Sequence, residues 1–136
     1  MIANNAKFLI IDDDDFIRQQ MIQSLRSLDF TGPCTEASDG DEAIAQIRKN
    51  QFSPFDFIFC DVKMPNKDGL DFLKYLKNTG LLQTPTPIIM VTAENDSTTV
   101  VSCIKLGATN YILKPWSRED LSKRISASWI KIHRPK

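Results

Sequence analysis

Residues 8–15 read Phe8-Leu9-Ile10-Ile11-Asp12-Asp13-Asp14-Asp15. Four apolar residues in unbroken succession, rather than alternation, describe a strand covered on both faces, as in a parallel sheet. The run ends abruptly in carboxylates. The same pattern recurs down the chain. Phe57-Ile58-Phe59-Cys60 is followed by Asp61, Ile88-Ile89-Met90-Val91 by Thr92, and Tyr111-Ile112-Leu113 by Lys114-Pro115. Thr35-Glu36-Ala37 is a weaker strand, starting near Pro33.

Segments of helical period separate these runs. Ile17, Met21, Leu25 and Leu28 step by four, four and three, one stripe of a helix. Asp39-Gly40-Asp41-Glu42 reads as a turn and N-cap entering a second helix with Ala43, Ile44 and Ile47. Asp68-Gly69 opens a third, with Leu70, Leu73 and Leu76 on one side. A fourth spans Asn95 to Leu106, carries Val100, Val101 and Ile104, and stops at Gly107. Ser117 caps a fifth, with Asp120 three residues on and Leu121, Ile125 and Trp129 as its inward stripe. The order is (βα) five times over. Right-handed crossovers make this an α/β fold, a doubly wound five-stranded parallel sheet of flavodoxin-like type.

In such sheets the functional site lies beyond the carboxyl ends of the strands. The residues there are Asp12, Asp13, Asp61, Thr92 and Lys114. Three carboxylates converging on one cleft raise each other's pKa. A hard divalent cation resolves that repulsion, and Mg²⁺ suits carboxylate oxygens, a backbone carbonyl and retained waters. Lys114 adds a point charge for a carboxylate or phosphoryl oxygen, and Thr92 a hydroxyl donor. Together they can surround one nucleophilic carboxylate and hold the oxygens of a transferring phosphoryl group.

Composition sets the outer limits. The 136 residues amount to one domain, 42% hydrophobic and 25% charged. Seventeen basic residues balance 17 acidic ones, which argues against a direct nucleic-acid binder or a polybasic membrane protein. Thirteen of the acids are Asp, a residue of caps, turns and oxygen-ligated metal sites. Cys34, Cys60 and Cys103 have neither zinc nor disulfide spacing, so a reducing, cytoplasmic setting is expected. The apolar runs are too short to span a membrane, and the N-terminus lacks the apolar core of a secretory signal.

The chain resembles the response-regulator receiver domains, similar to CheY-type chemotaxis regulators. The resemblance rests on Phe8-Leu-Ile-Ile-Asp-Asp, Glu36-Ala-Ser-Asp-Gly-Asp-Glu-Ala, Asp56-Phe-Ile-Phe-Cys-Asp61-Val-Lys-Met-Pro-Asn-Lys-Asp-Gly, Ile88-Ile-Met-Val-Thr-Ala and Gly107-Ala-Thr-Asn-Tyr-Ile-Leu-Lys-Pro, in order and in register. It divides the chain into an N-terminal extension (1–6), a receiver domain (7–130) and a basic tail or start of a linker (131–136). It implies that Asp61 is the phosphoacceptor. Asp13, Asp61 and the backbone carbonyl of Lys63 would ligate Mg²⁺, with Mn²⁺ as a substitute, and Asp12 would act through a bound water. Lys114 would contact the phosphoryl group, and in the family the peptide before Pro115 is often cis. Thr92 would be the switch hydroxyl and Tyr111 the aromatic whose rotamer follows it.

The implied donor is a histidine kinase or a histidine phosphotransfer protein. The implied output is a changed α4–β5–α5 face: the predicted helix over 95–106, the strand at 111–113 and the helix opened by Ser117. That face would control a partner or an output domain, and it can also support a homodimer on phosphorylation. Such a chain is a switch rather than a turnover enzyme, assisting its own phosphotransfer and autodephosphorylation. A pseudo-receiver that binds partners without phosphorylation is the alternative, although such proteins usually lack some of the acidic or lysine positions found here.

Several residues stand apart from the shared pattern. In the family the positions of Lys63 and Glu94 flank the path of the attacking water and tune phosphoryl lifetime; here the two would either pair across the site mouth to slow hydrolysis or stand as two solvated side chains. One of Asp14 and Asp15 is expected to cap the first helix. Trp116 either shapes the partner face or packs at the start of the fifth helix. Cys60 should face away from Asp61 as a small core hydrophobe. His133 is not the phosphodonor. A haloacid-dehalogenase-type phosphatase would need Asp-x-Asp-x-Thr, which Asp61-Val62-Lys63-Met64-Pro65 lacks. An FMN carrier would need a hydroxyl- and glycine-rich phosphate loop where four Asp stand. No glycine-rich P-loop supports nucleotide hydrolysis.

Overall fold

Apolar runs of four or five residues cannot bury themselves alone, and here they pair edge to edge. The computed structural model describes residues 2–93 and 97–133. Five strands, β1 (Phe8–Ile11), β2 (Cys34–Ala37), β3 (Phe57–Asp61), β4 (Ile88–Thr92) and β5 (Asn110–Leu113), form one sheet of order β2-β1-β3-β4-β5. All four pairings are parallel. The helices alternate with them: α1 (Asp15–Ser27), α2 (Gly40–Lys49), α3 (Gly69–Thr79), α4 (Ser97–Lys105) and α5 (Arg118–His133).

The period of two along each strand divides the core into two layers. Phe8, Ile10, Phe57, Phe59, Ile89, Val91 and Ile112 pack with Met21 and Leu25 of α1 and Leu121 and Ile125 of α5. Leu9, Ile11, Ile58, Cys60, Ile88 and Met90 pack with α2, α3 and Cys103 of α4. Every residue of β1, β3 and β4 is buried, which is why these strands read as continuous apolar runs. β2 lies at the sheet edge with three of its four residues half-buried, and its sequence signal is correspondingly weak.

The acidic helix entries act as caps. The side chains of Asp14, Asp39 and Asp68 accept the N–H groups of Phe16, Glu42 and Asp71 at the starts of α1, α2 and α3. Ser117 Oγ accepts the Asp120 N–H, 3.0 Å away, at the start of α5. α5 runs to His133, so Lys131 and His133 are helical. Lys131 Nζ lies 3.4 Å from the Thr109 carbonyl, and the His133 ring stacks on Trp129.

α4 turns only part of its apolar surface inward. The sequence pattern carries Val100, Val101 and Ile104 without choosing a face, and in the fold Cys103 is the buried residue, while Val101 is 49% and Ile104 39% exposed. The inward line runs through Cys103 and the partly buried Leu106, one helical turn apart. At about 100° per residue, that line turns Val101 and Ile104 outward. The expected start at Asn95 lies outside the described residues.

Candidate functional site

The strand order places β1 beside β3 with β2 on the far side of β1, so connections leave in opposite directions between them. The crevice at this switch point opens above the carboxyl ends of both strands. β1 delivers Asp12 and Asp13 there, and β3 ends on Asp61. Carboxylate oxygens of the three lie within 4.8 Å of one another. Asp12 and Asp61 are buried and Asp13 is exposed.

Lys114 enters from the end of β5. Its Nζ lies 3.0 Å from Asp12 Oδ2 and 3.3 Å from Asp61 Oδ1. The Lys114 N–H donates to the Thr92 carbonyl at 2.8 Å, tying the ends of β5 and β4 together, and the Lys114–Pro115 peptide is cis. Thr92 is buried at the last position of β4. The Asp14 N–H donates to Asp12 Oδ1 at 2.9 Å.

Burial pushes the Asp61 carboxyl up to about 6, and the Asp12 charge adds to that rise. Lys114 and the Lys63 N–H pull it back part of the way. Burial alone would lower Lys114, but its hydrogen bond to Asp12 and the field of Asp61 outweigh it and hold the ammonium above the ordinary lysine value. The centre therefore carries strained negative charge that one lysine only partly offsets. An all-oxygen donor set with excess negative charge fits a hard divalent cation.

The loop after β3 is held by close backbone packing. The Gly69 N–H donates to the Val62 carbonyl at 2.8 Å. A Cβ on Gly69 would lie 2.5 Å from the Asp61 carbonyl oxygen and 2.9 Å from Val62 Cα. The Gly40 N–H donates to the Lys67 carbonyl, and Asn66, at φ 62°, reaches Asp39 Oδ2 at 3.1 Å. The α3 entry is thus locked against both Asp61 and the start of α2.

Other residues singled out from the sequence fall into place around this centre. Tyr111 is half-buried on β5, packed against the α2–α3 core, with the Arg124 guanidinium 4.7 Å from its ring centroid. Trp116 packs against the α1–α5 core and donates Nε1–H to Ser24 Oγ at 3.0 Å, so it joins α5's entry to α1. Cys60 is fully buried on the α2–α3 side, and burial drives its thiol pKa well up, leaving it an uncharged core group. Lys63 is exposed at the site mouth, while Glu94 lies outside the described residues, as does any pairing between them. Sequence reasoning passed over Arg18, whose guanidinium holds the Asp12 carbonyl. An arginine in the second turn of an amphipathic helix carries no pattern that announces a backbone contact.

Fold and site together define a class: a doubly wound sheet with a buried aspartate pair, a third exposed carboxylate and a lysine at its switch point. Residues 8–126 match the model of the response regulator receiver domain. The chain belongs to that family. It is 31% identical over 125 residues to chemotaxis protein CheY-3 of Vibrio cholerae, covering 92% of each chain. The solved structure of chemotaxis protein CheY4 from the same organism superposes with a TM-score of 0.75 at 34% identity, covering 89% of this chain and 96% of that one. A chain of the CheX–CheY–BeF3–Mg²⁺ complex from Borrelia burgdorferi superposes with a TM-score of 0.78 at 27% identity, covering 90% of this chain and 87% of that one. As a receiver domain, the chain is a phosphorylation-driven signalling switch. Among the described residues, no helix is long and apolar enough to cross a membrane.

Proposed function

We propose that Asp61 accepts a phosphoryl group from a phosphohistidine of a histidine kinase or a histidine phosphotransfer protein. The observation that carries this reading is the Lys114 ammonium within ion-pair reach of both Asp12 and Asp61 at the crevice floor. An Asp61 oxygen attacks phosphorus, an O–P bond forms, and the P–N bond to the donor imidazole breaks. The freed imidazole takes a proton from solvent. Asp61 is ionised above a pH of about 6, so the nucleophile is available at neutral pH. Lys114, already placed between the carboxylates, pairs with a phosphoryl oxygen as charge builds there. Thr92 supplies a hydroxyl to another. Water later attacks the acyl phosphate and returns the free carboxylate and inorganic phosphate.

Asp13, Asp61 and the Lys63 carbonyl would hold Mg²⁺ or Mn²⁺, with Asp12 acting through a water. When bound there, the cation would supply charge neutralisation for the phosphoryl oxygens. Lys63 and Glu94 set how readily water reaches the phosphorus.

The output is a two-state change. Thr92 moves toward the phosphoryl group and Tyr111 turns inward behind it, which alters the α4–β5–α5 face. Support for a partner surface there comes from Val101 and Ile104, which expose apolar side chains on α4. A downstream protein, an output domain or a second copy of this chain would read that surface. The reading places the chain in the cytoplasm, with the receiver over 7–130, residues 1–6 as an extension and 131–136 as a basic tail or the start of a linker, of which residues 131–133 continue α5.

Incubation with acetyl phosphate or phosphoramidate and Mg²⁺, followed by intact mass measurement, tests the proposal. One added phosphoryl group, absent from Asp61→Asn, is the expected result. No gain by a protein that binds Mg²⁺ would favour the pseudo-receiver.

A further inference from the structure

We infer that Arg18 is a positioning residue for the cation site: its guanidinium fixes the Asp12–Asp13 peptide plane and thereby aims the Asp13 carboxylate. This rests on the reading of Asp12, Asp13 and Asp61 as that site.

All three guanidinium nitrogens of Arg18 are engaged. Nη1 donates to the Asp12 carbonyl oxygen at 2.6 Å, Nε to Glu36 Oε1 at 2.9 Å, and Nη2 to Asp15 Oδ1 at 2.9 Å. Gln19 Nε2 donates to the same Glu36 oxygen at 2.9 Å, so Glu36 is itself braced. Glu36 lies on β2, in register with Ile10 of β1. The arginine side chain is only 14% exposed. A planar fork held at three points has little freedom, and an arginine can make these bonds at once where a lysine cannot. Arg18 therefore bridges the ends of β1 and β2 and the first turn of α1.

The contrast between the two adjacent aspartates gives this bridge its purpose. Asp12 is held at every polar group. Its N–H donates to the Ala37 carbonyl, its Oδ1 accepts from Asp14, its Oδ2 accepts from Lys114, and its carbonyl accepts from Arg18. The exposed Asp13 carboxylate has no such clamp among the described residues. Its direction follows from its backbone. The peptide that carries Asp13 begins at the carbonyl Arg18 holds, so a turn of that plane swings the Asp13 carboxylate relative to Asp61.

Electrostatics alone makes the opposite forecast. Removing a positive charge near a cation site strengthens cation binding. Removing a device that aims a ligand weakens it, by about tenfold or more where supporting residues of metal sites have been altered. The sign of the change separates the two.

The test is isothermal titration of Mg²⁺ into the full chain, with thermal melts in the absence of the cation as a check on folding. Arg18→Gln is expected to bind Mg²⁺ about tenfold more weakly than wild type. Arg18→Lys keeps the charge and loses the fork, and its affinity is expected to fall severalfold. It also answers the question if Arg18→Gln does not fold. Equal or tighter Mg²⁺ binding in a folded variant overturns the inference and leaves Arg18 as a strut or counter-charge. A wild-type protein that binds no Mg²⁺ overturns the cation-site reading itself, and the inference with it.

Discussion

Replacing Asp61 with asparagine should stabilise the cation-free protein at neutral and alkaline pH. The folded-state carboxyl sits at about 6, against 3.8 for an ordinary aspartate, because burial and Asp12 both disfavour its charge. A raised carboxyl means that the folded state binds its proton more tightly than the unfolded state. Stability contributed by this group therefore falls as pH rises from about 3.8 to about 6 and stays low above that. A rise of about two pH units at about 1.4 kcal/mol each makes ionised Asp61 cost about 3 kcal/mol at pH 8. Asparagine keeps the shape and removes the charge. Urea unfolding in a chelating buffer, followed by circular dichroism, should show Asp61→Asn more stable by about that amount at pH 8. The gap should roughly halve by about pH 5, where the unfolded carboxyl is still ionised and the folded one is mostly protonated. Mg²⁺ should narrow it by binding the folded wild type. A variant no more stable than wild type at pH 8, or a gap that does not change with pH, would refute the argument from charge burial.

Three further outcomes follow from the geometry. Lys114→Ala leaves Asp12 and Asp61 without their shared cation, so Mg²⁺ should bind more tightly while phosphorylation by phosphoramidate slows by at least about tenfold; titration and timed mass spectra read the two effects. Gly69→Ala drives a methyl group into the Asp61 carbonyl and Val62 Cα; a loss of about 1–3 kcal/mol in urea unfolding is expected, together with slower phosphorylation. Trp116→Phe removes the donor to Ser24 while keeping most of the packing, and thermal unfolding should register a loss of about 1 kcal/mol with phosphorylation unaffected.

Much of this was legible because burial on both faces leaves a plain mark. The strands β1, β3 and β4 are wholly buried, and each reads as an apolar run closed by a polar residue. Once the run order gave a doubly wound sheet, the rule that sites lie at strand carboxyl ends sufficed to gather Asp12, Asp13, Asp61, Thr92 and Lys114. Less was legible where a residue's role depends on rotation or on a backbone partner. The inward face of α4 was not legible, because Val100, Val101, Cys103, Ile104 and Leu106 surround most of the helix and periodicity cannot choose a face among them. Phe72 of α3, fully buried, was hidden among neighbouring leucines. Arg18 escaped notice because its partner at Asp12 is a carbonyl oxygen, which every residue possesses. The stacking of Arg124 on Tyr111 joins residues on different elements, and neither position suggests the other.

The central claim is that Asp61, and no other carboxylate of the cluster, receives the phosphoryl group. Borohydride reduction of the acyl phosphate after treatment with phosphoramidate and Mg²⁺ marks the modified residue permanently, and peptide mapping then locates it. The account predicts a single mark at Asp61. A mark at Asp12 or Asp13, or none in a protein that binds Mg²⁺, would contradict it.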